Sequence, residues 1–170
     1  MPVLQNPTTI TMTEGRMHEI AEIVEHYGLY IIEDDVYGFL AEHRPPPFAA
    51  IIPDRTIYLT SASKSMAPGL RIGFLAVPPK LSRSIQEIVT MSNWMSAPFM
   101  AAVATSWIVN DHADKMIAWH RQQARERQDL ASQILGPHFH RSSIPCYHLW
   151  LQLPEPWRMD SFSASALREG

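Results

Sequence analysis

The sequence predicts an α/β domain with a mainly parallel sheet flanked by helices, and three observations carry that prediction. Helical and strand-like segments alternate along the chain. The strand-like segments are short, continuous apolar runs, the pattern of strands buried on both faces, and the first of them stops on three consecutive acids, Glu33-Asp34-Asp35. A chain of 170 residues, 46% hydrophobic and 18% charged, has the size and composition for one substantial core.

The elements follow in order. Between residues 14 and 27, Met17, Ile20, Ala21, Val24 and Tyr27 recur at helical spacing, with Thr13 as N-cap and Gly28 as the stop. Leu29-Tyr30-Ile31-Ile32 reads as a buried parallel strand whose C-terminal end reaches a polar site. A second buried strand covers Thr56 to Thr60 and a third covers Ile72 to Val77, separated by a loop that holds Lys64, Pro68 and Gly69. Helices are expected over residues 80–90, 97–110 and 112–135. The last is long and rich in Gln, Arg and Ala, as suits a bridge between two structural units, and Gly136-Pro137 breaks it. Tyr147 to Leu153 alternates like a half-exposed strand, and residues 161–168 start another helix. The expected organisation is therefore a larger unit over 1–135 and the start of a small, incomplete α+β unit over 136–170.

Composition removes several classes of function. The net charge is -3 and the isoelectric point about 6.2, so no overall positive field draws in nucleic acid or an anionic membrane. No apolar run approaches the roughly 18 residues that span a bilayer. A single cysteine, Cys146, allows neither an intrachain disulfide nor a cysteine zinc cluster and fits a cytoplasmic setting. His138 and His140 alternate as metal ligands on a strand could, but no third ligand accompanies them, and they read as loop or surface histidines.

The chemistry-bearing residues gather at strand ends. Taken alone, Glu33-Asp34-Asp35 could hold a magnesium ion in a nucleotide hydrolase or simply be a solvated loop. The hydrolase reading needs a phosphate-cradling G-x-x-x-x-G-K-[ST], and the sequence has none. Just past the second strand come Ser61-Ala62-Ser63-Lys64 and then Pro68-Gly69-Leu70-Arg71-Ile72-Gly73. This stretch resembles the lysine motif of class I/II aminotransferases, the pyridoxal 5′-phosphate (PLP) enzymes of fold type I. Two more of that family's motifs occur in the same order: Asn6-Pro7-Thr8 before a helix, and Asp34-Asp35-Val36-Tyr37, a D-x-x-Y, at a strand end. The wording around Glu33 to Gly38, His148 to Leu151 and Pro156-Trp157-Arg158 is most similar to the aminotransferase-like domain of MocR regulators in the GntR superfamily.

The resemblance implies a cofactor and a division of labour. PLP is an electron sink whose ring nitrogen must stay protonated, and a carboxylate is needed beside it; Asp34 matches that role. Lys64 matches the residue that forms the Schiff base, and a lysine made neutral by its pocket then serves as general base. Tyr37 and Asn6 would approach the ring hydroxyl, while Arg71, Ser61 and Ser63 would bind the phosphate. Pro68 and Gly69 would turn the chain between Lys64 and Arg71.

The implied activity is amino-group transfer between an amino acid and a 2-oxo acid in a homodimer, with Asn93-Trp94-Met95 as an interface contributor. The alternatives implied are a PLP-binding effector module of a regulator, whose DNA contacts would come from a separate helix-turn-helix, and an inactive fragment. The upstream loop that cradles the phosphate and the arginine that grips the substrate carboxylate have no counterpart in these residues, so both ends read as cut.

Overall fold

A computed structural model describes residues 1–136, 139–140 and 142–169. Helix α1 (Glu14–His26) begins where the Thr13 hydroxyl accepts the Arg16 N–H at 3.3 Å. Its buried face, Met17, Ala21 and Val24, has the i, i+4, i+7 spacing of one helical stripe, and Ala21 and Val24 pack on Ile52. Gly28, with φ +64°, supplies the left-handed residue that ends the helix.

Strand β1 (Ile31–Asp34) starts two residues later than the apolar run suggested, because the Leu29 N–H is still occupied at 2.9 Å by the Val24 carbonyl at the helix end. A four-residue helix, α2 (Phe48–Ile51), follows and leads into β2 (Thr56–Ser61), which pairs with β1 in parallel, Asp34 lying beside Leu59. A second four-residue helix, α3 (Ala62–Ser65), carries Lys64 directly off the end of β2. Strand β3 (Gly73–Ala76) then returns antiparallel to β2, Gly73 beside Ser61, giving the order β1-β2-β3.

Among the described residues the sheet has one parallel and one antiparallel pair, since the link from β2 to β3 through α3 is too short for the helical crossover that parallel strands require. One expectation about this sheet needs correction, the burial of its third strand. All four residues of β3 are exposed, as is Ile32 on β1. An apolar run records what a surface is fit to cover, and among the described residues no element covers β3.

Helices α4 (Pro79–Asn93), α5 (Pro98–Val109) and α6 (His112–Leu135) fall close to the expected spans. Gly136 caps α6 with φ +54°. A two-residue pair, β4 (Phe139–His140) against β5 (Trp150–Leu151), is all that forms from the expected strand over 147–153, and α7 (Met159–Glu169) completes the chain. His138 lies outside the described residues, and no group of three metal-ligating side chains occurs among those described.

Two buried clusters fix the site. One joins Val3, Leu4, Tyr37, Leu40, Ala41, Ala124 and Cys146, tying the N-terminal segment, the turn after β1, α6 and the segment before β5. The other seats Ala62, Met66, Leu70 and Ile72 on Ala104 and Ala113, so the Lys64 turn rests on α5 and α6.

Candidate functional site

The D-x-x-Y segment forms a compact turn at the end of β1. Asp34 is half-buried, and its Oδ1 accepts the Val36 N–H at 3.2 Å, the short local bond by which an aspartate shapes its own turn. Among the described residues no donor reaches its second carboxylate oxygen, which stays available to a ligand. Tyr37 is buried, and its phenol is pushed up from the ordinary tyrosine range by burial first and by the Asp34 charge second. Asp34 and Tyr37 are thus electrostatic neighbours.

Asp35 turns the other way. It is buried, forms an ion pair with Arg44, accepts the Tyr58 hydroxyl at 2.5 Å, and its Oδ1 has no partner in the described structure. Gly38 is required beside this cluster, because a Cβ there would collide with the Asp35 carboxylate and the Arg44 guanidinium. Glu33 is deeper still and receives the Phe48 and Ala49 N–H groups, one on each oxygen, at 3.1 Å. Of the three acids, only Asp34 is left to face a ligand.

Lys64 is exposed on the turn that leaves β2. The turn is held by the Ser65 hydroxyl donating to the Ser61 carbonyl at 3.3 Å, while Ser61 itself ends β2 with Gly73 opposite it. Arg71 adopts the left-handed conformation, φ 54° and ψ 31°, which costs a non-glycine residue about 1 kcal/mol. The conformation sends its guanidinium back toward the lysine turn, where Nη1 donates to the Ser63 hydroxyl at 3.4 Å. Ser63 and Arg71 are thereby joined next to Lys64 in the chain. Asn6 is exposed in the N-terminal segment, and among the described residues no hydrogen bond joins its side chain to Tyr37.

Two residues given no role from sequence complete the site. The Tyr147 hydroxyl donates to the Lys64 carbonyl at 3.4 Å, and the ring packs edge-on against Tyr37. His148 lies edge-on to Tyr37 with its Nε2 3.5 Å from the phenol oxygen, and its imidazole is pushed down by burial first and by the Lys64 charge second. The alternating pattern over 147–153 marked this segment as half-exposed strand, and nothing in it pointed to a partner 111 residues earlier.

The donor set fits an anionic cofactor with a protonatable ring nitrogen and a reactive carbonyl. It comprises an unpaired carboxylate oxygen on Asp34, an exposed amine on Lys64, a guanidinium with a neighbouring hydroxyl on Arg71 and Ser63, and the Tyr37 phenol.

The comparisons agree with that chemistry. A family model, aminotransferase class I and II, matches residues 3–153. The HTH-type transcriptional regulator YdeF of Bacillus subtilis is 31% identical over 170 residues, all of this chain and 37% of its own length. Aromatic-amino-acid aminotransferase 1 of Thermococcus litoralis is 32% identical over 138 residues, 79% of this chain and 33% of its own length. Among solved structures, Pyrococcus horikoshii kynurenine aminotransferase, in complex with PMP, superposes with a TM-score of 0.91 at 25% identity, over 99% of this chain and 44% of its own. The chain thus spans about a third of the length of the curated relatives it matches. Its fold is that of the type I aminotransferases, and the chain belongs to the class I and II aminotransferase family.

Proposed function

We propose that these residues form the cofactor-holding part of a PLP-dependent aminotransferase, moving an amino group between an amino acid and a 2-oxo acid, with Lys64 carrying the cofactor. When bound, PLP supplies the electron sink. Asp34 holds the proton on the ring nitrogen through its free carboxylate oxygen. Arg71 grips the phosphate, with Ser63 and Ser61 adding hydroxyl bonds. Tyr37 and Asn6 address the ring hydroxyl. Lys64 would carry the cofactor and, once released from it, its Nζ would serve as the general base that moves the substrate's α-proton. The observation that supports this reading is that Asp34 and Tyr37 at the end of β1 and the Lys64 turn at the end of β2 are joined through Tyr147 and His148, with Arg71 bonded to Ser63 on that turn.

The working organisation is a unit over 1–135 and the start of a smaller one over 136–170, in a cytoplasmic homodimer. A second reading, a PLP-binding effector module of a transcriptional regulator that uses the same residues, is favoured by the likeness to YdeF along the whole chain.

The deciding experiment is an absorbance spectrum of the purified chain with PLP, before and after borohydride, beside Lys64→Ala. The expected result is a band that borohydride fixes and the variant lacks, with the reduced cofactor on the peptide that contains Lys64. Amino acids that bleach the band would favour the enzyme. A band that none of them changes would favour the effector module. No band would mean that this chain is an inactive piece.

A further inference from the structure

We propose that His148 is a positioning residue of the cofactor site: its Nε2 holds the Tyr37 hydroxyl proton, so the imidazole's protonation state decides whether that phenol can donate to a ligand.

The geometry begins with a chain of contacts that fixes the imidazole. Gln128, buried on α6, donates from Nε2 to the Cys146 sulfur at 2.7 Å, and the Cys146 thiol donates to the His148 carbonyl at 3.2 Å. On the other side the Tyr147 hydroxyl ties the same segment to the Lys64 carbonyl. His148 is thereby set edge-on to Tyr37, ring centroids 5.0 Å apart, with Nε2 3.5 Å from the phenol oxygen.

The charges around the pair select one arrangement of protons. Lys64, on α3, faces His148 and disfavours the imidazolium; Asp34, on the turn after β1, faces Tyr37 and disfavours the phenolate. From α6, Arg127 acts on Tyr147 and His120 lies edge-on to that ring, and among the described residues no carboxylate of that helix acts on the imidazole to offset Lys64. A neutral phenol beside a neutral imidazole can bond in two ways, O–H to Nε2 or Nε2–H to the phenol oxygen; the first pairs the stronger donor with the stronger acceptor and is the arrangement assigned here, with Nδ1 carrying the imidazole proton. A phenol has one proton, so while His148 accepts it Tyr37 meets a ligand only as an acceptor. Protonated His148 becomes a donor, and the Tyr37 proton is released to point elsewhere.

The use of that proton at a bound cofactor rests on the reading of Tyr37 as a cofactor residue, but the hydrogen bond itself does not. The test is an NMR titration of the histidine imidazoles in the full chain without PLP, His148 being assigned by its loss in His148→Gln. The expected result is a His148 midpoint below the ordinary histidine value that rises by roughly half a unit to one unit in Tyr37→Phe, the scale of one neutral hydrogen bond. It should rise in Lys64→Met as well, with Nδ1 carrying the proton in the neutral form. A wild-type midpoint at the ordinary value, or one that Tyr37→Phe leaves in place, overturns the proposal. With PLP added, His148→Phe should move the pH midpoint of the cofactor band down, because the freed phenol then donates to the ring hydroxyl, while His148→Gln, which keeps an acceptor, should hold it near wild type. Equal shifts in the two variants would overturn the proposal even where PLP binds. Failure of PLP to bind would sink the cofactor reading alone, since the titration without it stands by itself.

Discussion

Glu33 at the centre of β1 receives the Phe48 N–H at 3.1 Å, and its other oxygen receives that of Ala49, so one buried carboxylate caps α2 from the neighbouring strand. Burial pushes this carboxyl up from its ordinary value, the two backbone donors opposing the shift only in part. A carboxyl whose folded pKa lies above its unfolded one gives stability that is fully present below the unfolded value, near 4.5, and is lost as pH rises through the folded one. The unfolding free energy of wild type should therefore fall from about pH 4.5 toward neutrality by more than that of Glu33→Gln. Glu33→Ala, which strands both N–H groups, should cost about 2 kcal/mol at neutral pH. Urea titrations at three pH values check both outcomes.

The same acid cluster shows what sequence could and could not reveal. The strand ending on Glu33-Asp34-Asp35, and the aspartate three residues before Tyr37, were legible because strand period and motif spacing are local properties. The assignment of Glu33 to a helix cap and Asp35 to Arg44 was not, because it depends on which way each side chain leaves a turn and on partners 9 to 23 residues away. His148 was hidden for the same reason: a histidine in an alternating strand announces no partner. The exposed β3 was misread because Phe74 and Leu75 record a surface fit to be covered, which periodicity cannot distinguish from one that is covered.

Asp35 and Arg44 give the second expected outcome. Removing the guanidinium leaves Asp35 buried with only the Tyr58 hydroxyl and an already orphaned Oδ1. Arg44→Met should destabilise the fold by about 2–3 kcal/mol, less than a fully buried pair because the arginine is partly exposed. Adding Asp35→Asn should recover part of that loss, which a double-mutant cycle of denaturation free energies reads as coupling. Gly38→Ala should resemble Arg44→Met, since the new methyl takes the space the ion pair occupies.

Arg71 sets stability against ligand binding. Its left-handed backbone is strained as arginine and free as glycine, so Arg71→Gly should stabilise the unliganded chain by about 1 kcal/mol. The same change removes the charge that the proposed function assigns to the cofactor phosphate. PLP affinity should drop by about 2 kcal/mol, roughly thirty-fold in Kd. Arg71→Lys, which keeps charge but loses the fork, should fall between them. Thermal melts without PLP and fluorescence titration with it separate the two effects; a variant both less stable and weaker in binding would contradict the backbone argument.

Tyr147 should dominate the alkaline limit of the site. Burial drives its hydroxyl from 10.0 up to about 12, opposed by the Arg127 charge. Because the folded value is the higher one, the stability it contributes is intact below pH 10.0 and is lost as pH rises from 10.0 through about 12. Tyr147→Phe should keep the ring contacts with Tyr37, Phe39 and His120 and lose only the long bond to the Lys64 carbonyl, costing under about 1 kcal/mol at neutral pH. Above pH 10.0 the ranking should narrow or reverse, since phenylalanine has no phenol to ionise. Stability measured at neutral pH and again at about pH 11 decides it: a difference between wild type and variant that stays constant would show that the Tyr147 hydroxyl ionises as easily in the fold as outside it.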